Sequence, residues 1–598
     1  MPEKVLNTSK NMPRNFAILC LFLAVAWPSR GRAEAPDIDP ADWPMYNHDV
    51  GGWRCNAAEK TLSTQNASQL EEKWRFPAKG SPVVVGAIHA TPTVVNGYVY
   101  FGTAIDPAMY KLRPNGTLAW AHHINTGRVL TAPASTAPPE PGAAAQGSVN
   151  LIDGRDGILA SALVTEKGVY FGSSKGIFYA LDRATGEEMW SVDTLAEGFP
   201  GHHPFNCFSA SAILADGKII VGGGAYEHAA PLIVPDYPCC TGRGFVIAFD
   251  PTNGEIIWKY DVGEKPEKFA EPVIVEDAKG KHSFEYGPST SSVWSTPSYD
   301  AKSGTIFFGT DVHNSPRQPT KENPRLDTKY SAAVIAVDVK TGAEKWVTQI
   351  NRGDIYNLTM SGYDPVTTRY KDNSIGDTPK LYSIAINGTA TSVVGVGCKN
   401  GGFYVLKASD GTVIANTPIY TGRPEYPLSP SPDARMIALP SPLGGIQTGC
   451  ATDGKTIFTN GIDWLAASAI PPGKPDGGRV VSLSADLSQE NWRHERPKVR
   501  GPLGECGDPV GSGIAIGGGL AFCMPVVSEQ LVVLDIQTGE VLKQIQIGTA
   551  WSGPSISRGR VYAGTGSMLF LKKELMGTLY SFGLPGEDEV ASMGIGSE

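Results

Sequence analysis

The stretch Tyr179-Ala-Leu-Asp-Arg-Ala-Thr-Gly-Glu-Glu-Met-Trp190 predicts two β-strands joined by a tight turn. Alternating Tyr179 and Leu181 are typical of the first strand. Thr185-Gly186 predicts the reversal, because glycine tolerates the positive φ angles of tight turns. Met189-Trp190 then begins the second strand. The recurrence of this unit along the chain decides the fold.

Further copies keep the turn and differ mainly at the tryptophan place. The equivalents of Trp190 are Trp120, Trp258, Trp346, Ala415, Trp492 and Lys543. Strand-rich units that repeat at spacings of 51–88 residues are typical of propeller blades. A solenoid is the alternative, but it would leave open ends that need caps.

The two ends of the repeat region predict that the array closes. Leu579–Phe582 has the pattern of an inner strand that no tryptophan strand follows, and Glu72–Phe76 has that of a tryptophan strand that no partner precedes. Joined, they complete one more blade and remove two exposed sheet edges. The sequence therefore predicts an all-β protein: an eight-bladed β-propeller of four-stranded antiparallel blades, with residues 36–598 as its single domain.

Residues 1–35 have the pattern of a signal peptide. Lys4, Lys10 and Arg14 precede the apolar run Phe16–Trp27, and Ala33-Glu-Ala35 offers small residues for cleavage. The apolar run is too short for a comfortable transmembrane helix. We therefore expect export to the periplasm or beyond, with no membrane span in the mature chain.

Charge and cysteine usage narrow the function classes. A net charge of −9 speaks against nucleic acid as a partner. Cys239 and Cys240 are adjacent, and three arrangements stay open: a disulfide between them, pairing elsewhere, or free thiols. The sequence has no Cys-x-x-Cys-His haem attachment motif, so a haem of its own is not expected.

The Ala-x-Asp-x-x-Thr-Gly-x-x-x-Trp copies resemble the tryptophan-docking motif of quinoproteins. These are eight-bladed propeller dehydrogenases that carry pyrroloquinoline quinone (PQQ) on the propeller axis. Asp42–Phe76 resembles the start of that family, and Pro238–Gly244 is similar to its polyvinyl alcohol dehydrogenase branch. The resemblance covers nearly the whole chain after residue 35.

The resemblance implies an exported alcohol dehydrogenase that depends on PQQ and Ca²⁺. It would oxidise an alcohol, polymeric alcohols included, to a carbonyl and pass the electrons to a separate acceptor such as a cytochrome c. Quinoprotein-like propellers also serve as cofactor-free scaffolds, so an envelope protein scaffold is one alternative. An aldose-type or other quinoprotein oxidase is another.

Four residues are the metal ligands that the resemblance implies. Glu227 matches the family glutamate that binds Ca²⁺, and Asp311 stands where the family has an amide ligand, with Asn314 close by. Asp354 is the fourth. Carboxylate and amide oxygens suit Ca²⁺. A glutamate in a Gly-rich turn and an aspartate that only ends a strand are the alternatives, and His228 and His313 nearby leave a different metal or solvated rim histidines open.

The resemblance also implies the cofactor contacts. Trp294 matches the indole that lies under the quinone, with ordinary core packing as its alternative. Lys399-Asn400 matches the stretch whose cation donates to the quinone oxygens and stabilises the charge that develops on reduction, with a solvated lysine beside a Gly-rich turn as its alternative. Arg155 is a candidate for a cofactor carboxylate, with a surface arginine as its alternative. Cys239 and Cys240 are counted with this pocket.

Alcohol oxidation also needs a base that takes the hydroxyl proton. Gln349–Asn357 resembles the family segment that carries an acidic pair around an aromatic residue. Many alcohol dehydrogenases use the second acid, whose place Asn357 occupies here. In the polyvinyl alcohol branch the first acid stands alone, as Asp354 does. We therefore predict that Asp354 is the base, with help from Asn357.

Overall fold

The structure is a computed structural model, and it describes most of the chain. The described residues are 39–132, 157–228, 230–234, 236–277, 280–290, 292–360, 372–419, 425–427, 436–438, 444–462, 477–501, 504–567 and 575–586. The predicted signal peptide, residues 1–35, lies outside them, so it and the predicted domain boundary at residue 36 stay predictions.

Within the described residues, the strands form eight antiparallel blades, which confirms the predicted fold. Blade 1 contains Thr93–Val95, Tyr98–Gly102, Ala108–Leu112, Leu118–His123 and Arg128–Leu130; blade 2 Leu163–Val164, Gly168–Gly172, Ile177–Asp182 and Glu188–Asp193; blade 3 Ile213–Ala215, Lys218–Ala225, Gly244–Phe249 and Ile256–Asp261; blade 4 Ser298–Asp300, Thr305–Gly309, Ala333–Asp338 and Glu344–Gln349. Blade 5 contains Lys380–Ile386, Thr389–Gly397, Gly402–Lys407 and Val413–Pro418; blade 6 Ala451–Thr452, Thr456–Ile462, Gly478–Ser484 and Glu490–Glu495; blade 7 Ala515–Gly517, Leu520–Cys523, Gln530–Asp535 and Val541–Gln546; blade 8 Ser555–Ser557, Arg560–Gly564, Leu579–Gly583 and Glu71–Phe76.

Short strands outside the regular four either extend three of the blades or form separate two-stranded sheets. Cys55–Asn56 pairs in parallel with blade 7, and Asn206–Cys207 adds to blade 3, as Arg128–Leu130 does to blade 1. The separate pairs are Val85–Gly86 with Met576–Gly577, Glu267–Asp277 with Gly280–Gly287, Ser289–Thr290 with His313–Ser315, Glu425–Pro427 with Met436–Ala438, and Lys498–Gly501 with Gly504–Gly507.

Helix is nearly absent from the described residues. They contain a 3₁₀ turn at Ala67–Gln69 and one α-helical turn at Ala230–Ile233. Among them, no helix has the length and apolar character needed to cross a membrane.

Blade 8 closes the propeller by joining the two ends of the repeat region. Glu71–Phe76 pairs antiparallel with Leu579–Gly583, and Trp74 lies opposite Ser581. The predicted closure, in which the strand of Trp74 pairs with the strand around Tyr580, is thus confirmed. Leu579–Gly583 therefore pairs on both sides, with Glu71–Phe76 and with Arg560–Gly564, and its edge is not exposed.

The tryptophans of the repeat join each blade to the next. Six indole N–H groups each donate to a backbone carbonyl of the following blade, over 2.9–3.2 Å: Trp74 to Pro114, Trp120 to Arg183, Trp190 to Pro251, Trp258 to Val339, Trp346 to Ala408, and Trp492 to Ile536. Lys543, which occupies the tryptophan place in blade 7, also donates a hydrogen bond to a backbone carbonyl, that of Ser68, over 2.7 Å. The motif therefore stabilises the ring as well as each hairpin.

The repeated glycine has a second role beyond the turn. Gly254 adopts φ +73°, as the turn requires, and a Cβ there would lie 2.6 Å from Cε3 of Trp190 in the preceding blade. The missing side chain therefore makes room for the neighbouring indole. Between blades, buried rings complete the core, as where Phe178 stacks on Phe249 at 5.2 Å between centroids.

Candidate active site

The ends of the strands bring the predicted site residues to one face of the propeller. In each blade the turn between the third and fourth strands, which carries the repeat motif, lies on the opposite face from the end of the second strand. The described parts of segments 226–243 and 310–332 follow the second strands of blades 3 and 4, and the described part of a third segment, residues 350–360 and 372–379, lies between blade 4 and blade 5. All three lie on the same face, so their side chains can meet near the axis.

Glu227 is fully buried on this face, and the chain itself satisfies its carboxylate. Four donors bond to it over 2.5–2.8 Å: the hydroxyl groups of Tyr237 and Ser289 and the backbone N–H groups of Thr241 and Gly242. Burial acts to raise the pKa of Glu227, but the hydrogen bonds and the charge of His203 outweigh it and lower the pKa. This carboxylate is held ionised by protein donors.

Asp311 belongs to a different group of side chains. Its Oδ2 lies 3.8 Å from Nε2 of His228, and ligand atoms of Asp311, His228 and Asp372 all lie within 4.8 Å of one another. Lys399 joins the group, with Nζ 2.6 Å from Oδ2 of Asp372. Burial raises the pKa of Asp372 against the opposing charge of Lys399, and the negative charge of Asp311 adds to the rise. We call His228, Asp311 and Asp372 the acidic-histidine cluster.

Asp354 reaches the same neighbourhood through the segment that carries Asp372. It is fully buried, and its Oδ2 accepts hydrogen bonds from the N–H of Asn373 at 2.8 Å and from the amide of Asn351 at 3.3 Å. The hydroxyl of Ser331 donates to its backbone carbonyl. These contacts fix the carboxylate next to the Lys399 ion pair.

Asn357 and Asn314 are both fully buried, with different surroundings. Nδ2 of Asn357 donates to the carbonyl of Asn314 at 3.1 Å, and its Oδ1 accepts from the N–H and hydroxyl of Thr359. The side chain of Asn357 therefore connects the segment after Asp354 to the backbone of Asn314. Neither amide atom of Asn314 has a hydrogen-bond partner within the part of the chain that the structure describes. Because buried polar atoms are normally paired, Asn314 points to a polar ligand.

Trp294 lies on the axis with its indole against Gly376, where no Cβ would fit. It also lines a cavity of about 230 Å³, together with residues that lead into the first strands of blades 2, 3 and 6, among them Ser161, Ser211 and Gln447. A half-buried indole facing an axial cavity differs from the docking tryptophans, whose N–H groups bond to the next blade. Its setting fits the predicted support for a flat ligand.

The remaining predicted residues are placed as follows. Asn400 donates to the hydroxyl of Tyr404 and accepts from the N–H of Gly402, so its amide shapes a turn. Cys239 and Cys240 are a buried adjacent pair, and Sγ of Cys240 lies 3.8 Å from the carbonyl oxygen of Asn314. Arg155 lies outside the described residues.

Two members of the cluster had little signal in the sequence. His228 directly follows the predicted ligand Glu227, and its sequence context does not distinguish it from other rim histidines such as His313. Asp372 belongs to no repeat copy and no family motif. Only its position before the first strand of blade 5, opposite Lys399, gives it a role.

Comparison with known proteins agrees with this fold. Residues 43–420 match the family described as PQQ glucose/ethanol/alcohol dehydrogenase, β-propeller domain. A polyvinylalcohol dehydrogenase of Sphingopyxis sp. (strain 113P3) is 24% identical over 567 residues, covering 89% of this chain and 75% of the relative. A quinohemoprotein alcohol dehydrogenase of Comamonas testosteroni is 24% identical over 614 residues, covering 91% and 76%.

The same fold appears among solved structures. The crystal structure of a quinohemoprotein alcohol dehydrogenase from Comamonas testosteroni superposes with a TM-score of 0.63 at 19% identity, over 92% of this chain and 81% of the other. The matched family segment covers well over half of the chain. This chain therefore belongs to the PQQ-dependent glucose, ethanol and alcohol dehydrogenase family of β-propellers.

Proposed function

We propose that this protein is a PQQ-dependent alcohol dehydrogenase that works at the face where Asp354, Lys399 and the acidic-histidine cluster meet. The observation that carries the proposal is the pairing of Lys399 with the largely buried Asp372, beside the fully buried Asp354. A scaffold gains nothing from burying three carboxylates near a single lysine, because buried charges are costly to desolvate.

The residues present fit the cofactor. The buried, unpartnered amide of Asn314 offers both a donor and an acceptor to a polar ligand. Lys399 would bind its quinone oxygens, and Trp294 would support its flat ring. When bound, PQQ supplies the electron acceptor for alcohol oxidation.

Asp354 is the proposed general base. Its carboxylate is held by Asn373 and Asn351, so it is oriented before substrate arrives. It takes the hydroxyl proton of the alcohol as the C–H bond breaks. Asn357 donates a hydrogen bond to the backbone carbonyl of Asn314, in the strand His313–Ser315, and so holds the segment that carries Asp354 against that strand.

A divalent cation is part of the proposal, and Ca²⁺ is the ion that the resemblance predicts. Its predicted ligands are Glu227, Asp311, Asn314 and Asp354. Asn314 supports this set through its unpartnered amide, and Asp311 through a carboxylate oxygen that faces other donors. Glu227 can bind the ion only if its carboxylate loses some of the hydrogen bonds that it accepts from protein donors.

Substrate, acceptor and location complete the proposal. The resemblance to a polyvinylalcohol dehydrogenase supports a secondary or polymeric alcohol as substrate. Because the sequence has no haem attachment motif, the electrons go to a separate acceptor such as a cytochrome c. The pattern of residues 1–35 supports export to the periplasm.

Cys239 and Cys240 are proposed to form a disulfide with each other, since an exported chain meets an oxidising compartment. The pair packs with Ile355 and Met360, which follow Asp354 in the chain. This supports its inclusion in the cofactor pocket.

The test is reconstitution. Purified protein is incubated with PQQ and a divalent cation, and reduction of a dye is followed with a panel of alcohols that includes polyvinyl alcohol. Alcohol-dependent dye reduction that requires PQQ supports the proposal. Protein that binds no PQQ would favour the scaffold.

A further inference from the structure

The acidic-histidine cluster combines ligand types that the predicted calcium set does not. His228 contributes an imidazole, whereas Asp311 and Asp372 contribute carboxylates, with ligand atoms within 4.8 Å of one another. His228 is 5% exposed and Asp311 4% exposed, so water cannot fully solvate either side chain.

The surroundings of His228 give a second, independent observation. Its Nδ1 is buried and has no hydrogen-bond partner among the described residues, while its Nε2 lies 3.8 Å from Oδ2 of Asp311, too far for a hydrogen bond. The rings of Tyr226 and Tyr356 lie 4.9 and 6.1 Å from the imidazole between centroids. The imidazole is thus held among rings, with its Nε2 turned toward a carboxylate.

The charges of the group leave a deficit. Among the described residues, Asp372 pairs with Lys399, whereas Asp354 accepts from neutral donors and Asp311 lies beside His228. Lys399 takes one oxygen of Asp372, and the hydroxyl of Ser374 lies 3.3 Å from the other. A bound cation would balance the remaining negative charge.

We propose that His228, Asp311 and Asp372 bind a divalent transition metal ion, with Zn²⁺ as the representative, in preference to Ca²⁺. Imidazole nitrogen is a common ligand of Zn²⁺, Co²⁺ and Mn²⁺, whereas Ca²⁺ takes oxygen ligands. Ligand atoms 3.8–4.8 Å apart need to move inward by roughly 1 Å to meet bonds of about 2.0–2.2 Å. The Zn²⁺ proposed here is the divalent cation of the proposed function. The metal site itself does not depend on that function, and only the role of the ion rests on it.

Metal binding to the full-length protein, purified without PQQ, tests the proposal. Co²⁺ is the probe, because its visible absorption spectrum reports nitrogen ligation, and Zn²⁺ and Ca²⁺ are then measured by competition and by equilibrium dialysis. We expect one Co²⁺ or Zn²⁺ per chain and at least ~10-fold weaker binding of Ca²⁺ at the same site.

Three variants assign the ligands. His228→Asn replaces the imidazole by an amide oxygen, so it should weaken Zn²⁺ binding by at least ~10-fold without weakening Ca²⁺ binding. His282→Asn changes a histidine on the hairpin Gly280–Gly287 and should change neither. Glu227→Gln changes a predicted ligand of the calcium set whose carboxylate is already held by four protein donors, so it should weaken Zn²⁺ binding less than His228→Asn does.

The proposal is overturned if Ca²⁺ competes equally with Zn²⁺, if no metal binds, or if Glu227→Gln abolishes binding while His228→Asn does not. The last result would assign the ion to the calcium set. PQQ binding measured on the same samples separates the two claims: Zn²⁺ binding without PQQ binding keeps the metal site and removes the proposed function.

Discussion

At the residue scale, Asp354→Asn tests the base. Asparagine keeps an oxygen that can accept from Asn373, so the fold should persist while proton transfer is lost. We expect alcohol-dependent turnover to fall by about 10²–10⁴-fold. Steady-state dye reduction measures this, and a PQQ titration of the same variant checks that the cofactor still binds.

Glu276→Gln, an exposed acid on the same face, is the matched control and should keep full turnover. If excess PQQ and cation restore turnover in Asp354→Asn, the residue only holds the cofactor, and another group takes the proton.

His89 predicts a pH dependence of stability. Burial lowers the pKa of His89 to about 4, whereas an unfolded histidine titrates near 6.5. The unfolded chain therefore binds the proton first as the pH falls, so stability decreases from about pH 6.5 to about pH 4, by at most ~3 kcal/mol. His89→Gln should show a smaller loss of melting temperature over this window; equal losses in both proteins would contradict the assignment.

Sequence patterns located part of the site and missed part of it. Lys399, Asp354 and Trp294 lie in stretches that resemble family segments, so the sequence alone was enough to select them as candidates. Asp372 and His228 acquire a role only through the ends of strands in blades 3, 4 and 5, which meet across the propeller. Contacts of that kind depend on tertiary packing, so no local pattern predicts them.

At the element scale, the glycine of the repeat can be tested against a glycine of the same conformation. Gly254 and Gly388 have φ +73° and +78°, but a Cβ on Gly254 would meet the Trp190 indole, whereas one on Gly388 would meet nothing within 4 Å. Alanine at either position costs about 1–2 kcal/mol of backbone strain. Gly254→Ala should cost a further ~1–3 kcal/mol from overpacking.

Thermal unfolding of the two variants measures the difference. Gly254→Ala should melt clearly below Gly388→Ala. Equal melting temperatures would mean that the glycine serves the turn alone. The sequence predicted the turn at this position, but the indole contact joins two blades and is visible only once the ring is assembled.

At the scale of the whole molecule, closure predicts how the protein responds to truncation. Removing residues 1–76 deletes the outer strand of blade 8 and exposes the edge of Leu579–Gly583. We expect this truncated protein to aggregate, since open edges pair with other chains. Size-exclusion chromatography measures this; removal of residues 1–35 is the control and should leave a monodisperse protein. A monodisperse 77–598 fragment would contradict closure through Trp74.

The repeat made the closed ring predictable, because the orphaned half-repeats at each end can satisfy one another only in a ring. The extra strands on blades 1, 3 and 7 were not predictable in the same way. Each is two or three residues long, too short to carry a period.

The most direct test of the central claim is PQQ-dependent alcohol oxidation by the purified protein. Protein freed of cofactor is titrated with PQQ in the presence of Zn²⁺ or Ca²⁺, and the rate of dye reduction is recorded with and without alcohol. We expect a rate that requires alcohol and saturates at one PQQ per chain. Saturating PQQ that neither binds nor supports any alcohol-dependent rate, with either ion, would contradict it.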